Sequence, residues 1–222
     1  MRLVFDGTTK YTGDASVTLT VTDGVNTGTG TITISTAYYS GTNTAETVTL
    51  LKATGTGNNG AFDDGSTSNH TVNKNGTVEQ LSFSPYRDNG YSMYFDGTGD
   101  YLQIADNPAF DLAGEFAYEF WLFRTGSTSG TYQAILGSNG SGSNGLTFYI
   151  TQSNGALSIF QSSFIISGSA GDILDYKWHH VLLMRDSSNL LQLFIDGRRV
   201  SSSTNSTASV SYTHLRAHET TN

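Results

Sequence analysis

The chain has 222 residues, of which only 14% are charged, with 25 Gly, 2 Pro, no Cys and a 12% aromatic content. That mixture suits short strands joined by tight turns and argues against a helical protein. A formal charge of −8 gives no Lys/Arg footprint for nucleic acid or anionic lipid, and the absence of Cys excludes disulfides, thiol catalysis and Cys-ligated zinc or iron–sulfur sites.

No apolar run approaches the about 20 residues needed to cross a bilayer, so membrane insertion is not expected. The opening "MRLVFDG" lacks the apolar stretch of an export signal. The first regular pattern follows. Val17, Leu19 and Val21 alternate with Thr18, Thr20 and Thr22, and after an Asp-Gly-containing turn Ile32 and Ile34 alternate with threonines. Two period-2 runs around such a turn predict a β-hairpin. Two strands alone bury too little to stand as a domain. Residues 1–35 are therefore expected to be the remnant of a larger β module. The stretch Ser16–Ile34 resembles the closing hairpin of immunoglobulin-like or cadherin-like modules.

Residues 36–45, "TAYYSGTNTA", are expected to form a linker. From there to Ser209, turn signals recur at Gly55–Gly60, Asp63–Ser66, Lys74–Thr77, Asp96–Asp100, Ser138–Gly145, Ser153–Gly155 and Asp196–Gly197. Short aromatic and β-branched runs lie between them, the pattern of an all-β sandwich or jelly roll.

Two blocks carry a more specific likeness. "YSMYFDGTGDYLQIADNPAFDLAGEFAYEFWLF" (Tyr91–Phe123) and "KWHHVLLMRDSSNLLQLFIDGRRV" (Lys177–Val200) resemble the early and late signatures of laminin-G-like, concanavalin A-like jelly-roll domains. The resemblance implies that residues 46–209 form such a sandwich. It also implies one or two closing strands after the Asp-Gly strand, and these are missing by residue 209. The sandwich is thus expected to be truncated at its C-terminal end. The remaining residues, 210–222, depart in composition, and Val210–Thr220 ("VSYTHLRAHET") is identical to one translated frame of a transposase-type sequencing adapter. They are expected to be an assembly artefact, the native product being longer at both ends.

The same fold hosts glucanases, which carry a Glu-x-Asp-x-Glu strand. Here Glu115 and Glu119 stand at the outer spacing, but Ala117 holds the middle position. Without that carboxylate nothing sets the protonation states of the pair apart, and no enzyme activity is expected. Glu119 reads instead as a solvent-facing residue, with Phe116, Tyr118, Phe120 and Leu122 pointing inward. Adjacent strand residues point to opposite faces, so His179 and His180 cannot ligate one metal and read as part of the sheet. His70 stands in a loop with no second His nearby.

Calcium is the one cofactor the residues admit, because Asp/Asn/Gly loops supply the oxygens it prefers. Laminin-G-like domains and their pentraxin relatives often hold calcium at the rim. The candidate ligands are Asp96 and Asp100 in "FDGTGDY", with Asn139 and Asn144 in "SNGSGSNG". The alternative is that Asp96 and Asp100 brace a turn by accepting backbone N–H bonds.

Glycans are recognised by aromatic faces flanked by planar polar groups. Tyr132, Tyr149, Phe160, Phe164 and Tyr176, on loops or wet strand faces, are the candidate ligand-binding residues. Tyr94, Phe95, Phe120 and Trp121 fall in the signature strands and are assigned to the core. The resulting expectation is a non-catalytic carbohydrate-recognition or adhesion module that takes a glycan or host-surface polysaccharide. Its setting would be a larger virion protein (a tail-fibre or structural protein) or an extracellular, cell-surface one. The order of an immunoglobulin-like end before a laminin-G-like sandwich resembles marine phage proteins. Alternatives are a structural spacer that homo-oligomerises within a fibre and a glycoside hydrolase of the same fold.

Overall fold

The computed structural model describes residues 13–22, 27–36, 47–53, 62–85, 91–126, 130–138, 145–209 and 214–218. The chain forms two compact units, Met1–Asn43 and Thr44–Asn222. In the first, β1 (Gly13–Thr22) pairs antiparallel with β2 (Thr27–Thr36), with Val17 opposite Ile32 and Leu19 opposite Gly30. This is the hairpin that the alternating Thr pattern predicts.

The second unit begins with short pieces: β3 (Leu51–Lys52), β4 (Asp63–Asp64), β5 (Val72–Asn75), β6 (Glu79–Leu81), β7 (Ser92–Tyr94) and β8 (Tyr101–Ala105). Longer strands follow: β9 (Phe116–Phe123), β10 (Tyr132–Gly137), β11 (Thr147–Thr151), β12 (Leu157–Gln161) and β13 (Ser163–Ile166). The last are β14 (Trp178–Arg185), β15 (Leu190–Ile195), β16 (Arg198–Thr204) and β17 (His214–His218). One sheet runs β13-β12-β11-β10-β17-β8-β5 and the other β16-β15-β14-β9.

The two sheets share one core. Phe148, Ile150, Leu157 and Ile159 from the first sheet pack against Val181, Leu183, Leu191, Leu193 and Ile195 from the second. Each such burial is worth about 1.5–3 kcal/mol. On β9 the expected inward face holds, with Phe116, Tyr118, Phe120 and Leu122 all against this core. Tyr118 and Phe120 each meet Phe148 edge-on at 5.4 Å between centroids, and burial pushes the Tyr118 phenol up to about 12.

Several turn signals are realised where expected. The β15–β16 hairpin turns at Asp196-Gly197, both with positive φ (51° and 75°), the mirror-image turn that matches strand twist. Ser153–Gly155 turns between β11 and β12, and Gly76 (φ 77°) between β5 and β6. Asp63–Ser66 is not a simple turn. Asp63 and Asp64 pair with Lys52 and Leu51, and the buried Asp64 carboxylate accepts from Leu50 N (2.7 Å), Ser66 N (2.9 Å), Ser66 Oγ (2.8 Å) and His70 N (2.9 Å). A side chain with four donors to satisfy organises its loop more than a turn propensity does. Gly55–Gly60 and most of Ser138–Gly145 lie outside the described residues, as does most of the expected linker.

Residues 214–218, within the tail expected to be an artefact, form a strand of the larger sheet. β17 lies between β8 and β10, with Leu215 opposite Ile104, Ala217 opposite Leu102 and Arg216 opposite Gly137. The ladder uses backbone N–H and C=O groups, so a five-residue segment of atypical composition can fill it. Just before it, Leu112 and Ser209 exchange two backbone bonds of 2.8 and 3.1 Å.

Candidate functional site

Four of the aromatic candidates come together on one surface. In β11, Phe148 and Ile150 face the core, so Tyr149 between them points outward. The register puts Ala134 and Ser158 on either side of Tyr149, Tyr132 opposite Thr151, and Phe160 opposite both Thr147 and Phe164. Tyr132, Tyr149, Phe160 and Phe164 thus stand on four adjacent strands, β10 to β13, on the face turned away from the core.

Their rings touch. Tyr132 meets Phe164 at 5.3 Å and Tyr149 at 5.9 Å, Phe160 meets Phe164 at 5.4 Å, and Tyr149 meets Phe160 at 6.0 Å, mostly edge-on. Such pairs contribute about 0.5–1.5 kcal/mol each beyond their buried area. Tyr149 and Phe160 are half-buried at the centre, and burial pushes the Tyr149 phenol up. Tyr132 and Phe164 remain 43% and 40% exposed and present their rings to solvent.

Tyr176 is held elsewhere. It stands in the loop before β14 with φ 58°, 72% exposed, and donates its backbone N–H to Arg124 O at 2.7 Å. The buried Arg124 ties this loop to the β11–β12 turn, donating to Gln152 O (2.8 Å) and pairing with Asp175 (3.1 Å). Among the described residues, Tyr176 makes no ring contact with the four-ring patch.

Asp96 and Asp100 do come together, with the geometry of a turn brace. Asp100, 1% exposed, accepts from Thr77 N at 2.5 Å and Asp96 N at 3.0 Å, and Thr77 Oγ1 lies 3.2 Å from it. Asp96 in turn accepts from Thr98 N at 2.7 Å. The groups facing these oxygens are N–H and O–H donors, as a turn brace requires. No group of three or more His, Asp or Glu able to hold a metal occurs among the described residues. Asn139 and Asn144 lie outside the described residues.

Two core assignments are corrected, Trp121 on β9 of the opposite sheet and Tyr94 on β7, which pairs with β6. Trp121 is 42% exposed and Tyr94 41%, whereas Phe95 and Phe120 do pack against core clusters. The signal was present in the sequence. If Phe116, Tyr118, Phe120 and Leu122 point inward, strand alternation turns Ala117, Glu119 and Trp121 outward. The two histidines behave as their adjacency requires. His179 is buried and bonded to Asp196, while His180 faces out and bonds Glu119 Oε1 at 2.8 Å. His70 packs on Phe110 at 5.0 Å.

Two antiparallel sheets packed face to face on a single core make a concanavalin A-like jelly-roll sandwich. The chain belongs to the concanavalin A-like lectin/glucanases superfamily, whose laminin-G-type pattern is matched by residues 96–217, more than half of its length. Solved structures similar to it include the binding domain of Paraclostridial Mosquitocidal Protein 1 (TM-score 0.62, 16% identity, 79% of this chain and 44% of that one). The receptor binding domain of botulinum neurotoxin D is similar as well (TM-score 0.60, 13% identity, 81% of this chain and 46% of that one). So is the binding domain of botulinum neurotoxin DC in complex with SialylT (TM-score 0.58, 14% identity, 79% and 43%). The match spans less than half of each of these chains. No curated protein sequence is detectably similar to this one. No helix among the described residues is long and apolar enough to cross a membrane.

Proposed function

We propose that the second unit is a non-catalytic carbohydrate-recognition module, and that the outer face of β10–β13 is its binding surface. The observation that carries this reading is the convergence of Tyr132, Tyr149, Phe160 and Phe164, from four strands, into one ring cluster with two faces open to water. A sugar ring stacks its C–H face on such a surface while its hydroxyls stay hydrated or bond to the phenols. The similar structures are binding domains, one of them in complex with SialylT, and that shared role supports the reading. The setting we infer is the outward-facing part of a larger virion or cell-surface protein that meets a host polysaccharide.

The hydrolytic alternative lacks support at Glu119. That carboxylate is 65% exposed, engaged by His180, and two positions from Ala117 rather than from a second acid. The test is retardation of the protein in gels cast with soluble polysaccharides, together with pull-down on insoluble ones. Retardation on at least one neutral polysaccharide is expected, weakened about tenfold by Tyr132→Ala or Phe164→Ala, as for an aromatic anchor. A folded protein that no polysaccharide retards would instead establish the spacer reading.

A further inference from the structure

On the outer face of the opposite sheet, β9 and β14 carry a second row of chemistry. Trp121 lies directly across the ladder from His180, with rings 5.1 Å apart, and His180 Nε2 reaches Glu119 Oε1 at 2.8 Å. Two residues further along each strand, Phe123 and Trp178 sit opposite one another, and Phe83 packs on both at 4.7 and 5.3 Å. Phe83 is 48% exposed. The Trp178 indole N–H is buried without a hydrogen-bond partner among the described residues. From Glu119 to Phe123 the row extends about 13 Å at the rise of a strand.

We propose that this row is a second glycan-contact surface, separate from the four-ring patch, that takes a neutral polysaccharide chain lying along β9 and β14. Because Glu119 is a carboxylate, it accepts the proton carried on His180 Nε2. Glu119 and Trp121, two positions apart on β9, lie on the same outward face of the strand. An exposed carboxylate acceptor beside an exposed indole fits the hydroxyl donors of a sugar stacked on Trp121. A protein partner fits less well. The cores of protein–protein interfaces are depleted of charge, and Glu119, 65% exposed at one end of the row on the edge strand β9, would have to be dehydrated there. A sugar leaves it wet and hydrogen-bonded. The overall charge of −8 and the local carboxylate disfavour an anionic chain.

The two surfaces lie on opposite sheets of one sandwich, so the module is bivalent. The experiment is agglutination of beads coated with a neutral polysaccharide that retards the protein, run beside the gel assay, with hyaluronan as the anionic control. Size-exclusion chromatography and a thermal melt accompany every variant. Wild type is expected to agglutinate the beads. Trp121→Ala and Glu119→Gln are expected to abolish agglutination and weaken the retardation several-fold while leaving the protein monomeric, and hyaluronan is expected not to bind. Glu119→Gln keeps the side-chain shape and serves where Trp121→Ala fails to fold. Agglutination and retardation unchanged in the folded Glu119→Gln and Trp121→Ala proteins would overturn the proposal. So would an effect of these variants on oligomeric state alone, which would make the face a protein interface. Loss of binding in the Trp121 and Glu119 variants but not in the Tyr132 and Phe164 variants would sustain this site and overturn the one on β10–β13.

Discussion

His179 and Asp196 join the start of β14 to the β15–β16 turn through an Nδ1···Oδ2 bond of 2.9 Å, with His179 only 3% exposed. The other ring nitrogen, Nε2, accepts the Leu174 backbone N–H at 3.0 Å. An amide can only donate, so the ring proton resides on Nδ1 and is given to the carboxylate. One imidazole thereby fixes both the hairpin turn and the loop that carries Tyr176.

Asp196 should accordingly make stability depend on acid. Burial disfavours its charged form, but the His180 backbone N–H (2.9 Å), the His179 ring and Lys177 outweigh this and hold the carboxyl below its ordinary value. A carboxyl lowered by folding stabilises the protein above its unfolded value, about 3.9, and that stabilisation is lost as pH falls through the lower folded value. Asp196→Asn keeps the tolerance for positive φ and removes the charge. It is expected to lower stability at pH 7 by about 1 kcal/mol, a modest loss because the side chain is partly exposed. The gap from wild type should close toward pH 3. Urea titrations at pH 7, 4 and 3 measure it, and a gap of constant size would show that the charge contributes nothing.

Arg185 works as a buried clamp without a carboxylate partner among the described residues. Its Nε donates to Gly114 O (2.7 Å), Nη2 to Leu112 O (2.7 Å) and Nη1 to Thr207 O (2.8 Å), and its guanidinium lies 4.7 Å above the Phe116 ring. Burial pulls its pKa down. The fork binds the segment before β9 to the segment after β16, which among the described residues are otherwise joined by the bridge of Leu112 and Ser209. Lysine has neither the planar fork nor the number of donors. Arg185→Lys is expected to cost about 2–4 kcal/mol, because carbonyls are left unsatisfied in the core. A loss under about 1 kcal/mol in urea unfolding would mean that water replaces the clamp without penalty.

Strand alternation made most of the sandwich legible, because it needs only neighbouring residues. The inward set of β9, the opposed faces of His179 and His180, and the Asp196-Gly197 turn all follow from period 2 and turn chemistry. Three features did not. For Trp121, a place in a signature strand points to the core, whereas parity turns it outward. Asp64 looked like a turn residue because its four donors come from positions up to 14 apart in sequence. The clustering of Tyr132, Tyr149, Phe160 and Phe164 depends on strand order and register, which the sequence does not display. The sequence named these residues singly, and only the sheet made them a surface.

β17 carries the closure of the larger sheet, and removing it should be visible. A chain ending at Ser209 leaves β8 and β10 without the partner between them, two open edges with unpaired N–H and C=O groups. Such a chain is expected to aggregate or melt without cooperativity, as followed by light scattering and circular dichroism. If it melts as sharply as the full chain and stays monomeric, residues 214–218 do not close the fold. The adapter origin expected for residues 210–222 would then have a physical counterpart.

The Asp100 brace separates a structural role from a metal role. Gly76 has φ 77°, and a Cβ there would run into the Asp100 carboxylate. Gly76→Ala must therefore both strain the backbone and push away the oxygen that accepts from Thr77 N. The expected loss is about 2–3 kcal/mol, larger than for an ordinary turn glycine. Removal of divalent cations with EDTA should leave the Tm of the wild type unchanged, since the donors on Asp96 and Asp100 are already backbone and hydroxyl groups. A resident calcium ion would behave differently, adding about 2.7 kcal/mol at a hundredfold excess over its Kd. A Tm that falls with EDTA and recovers with calcium would make Asp96 and Asp100 metal ligands as well as a brace. It would also predict that Gly76→Ala weakens calcium binding as well as stability.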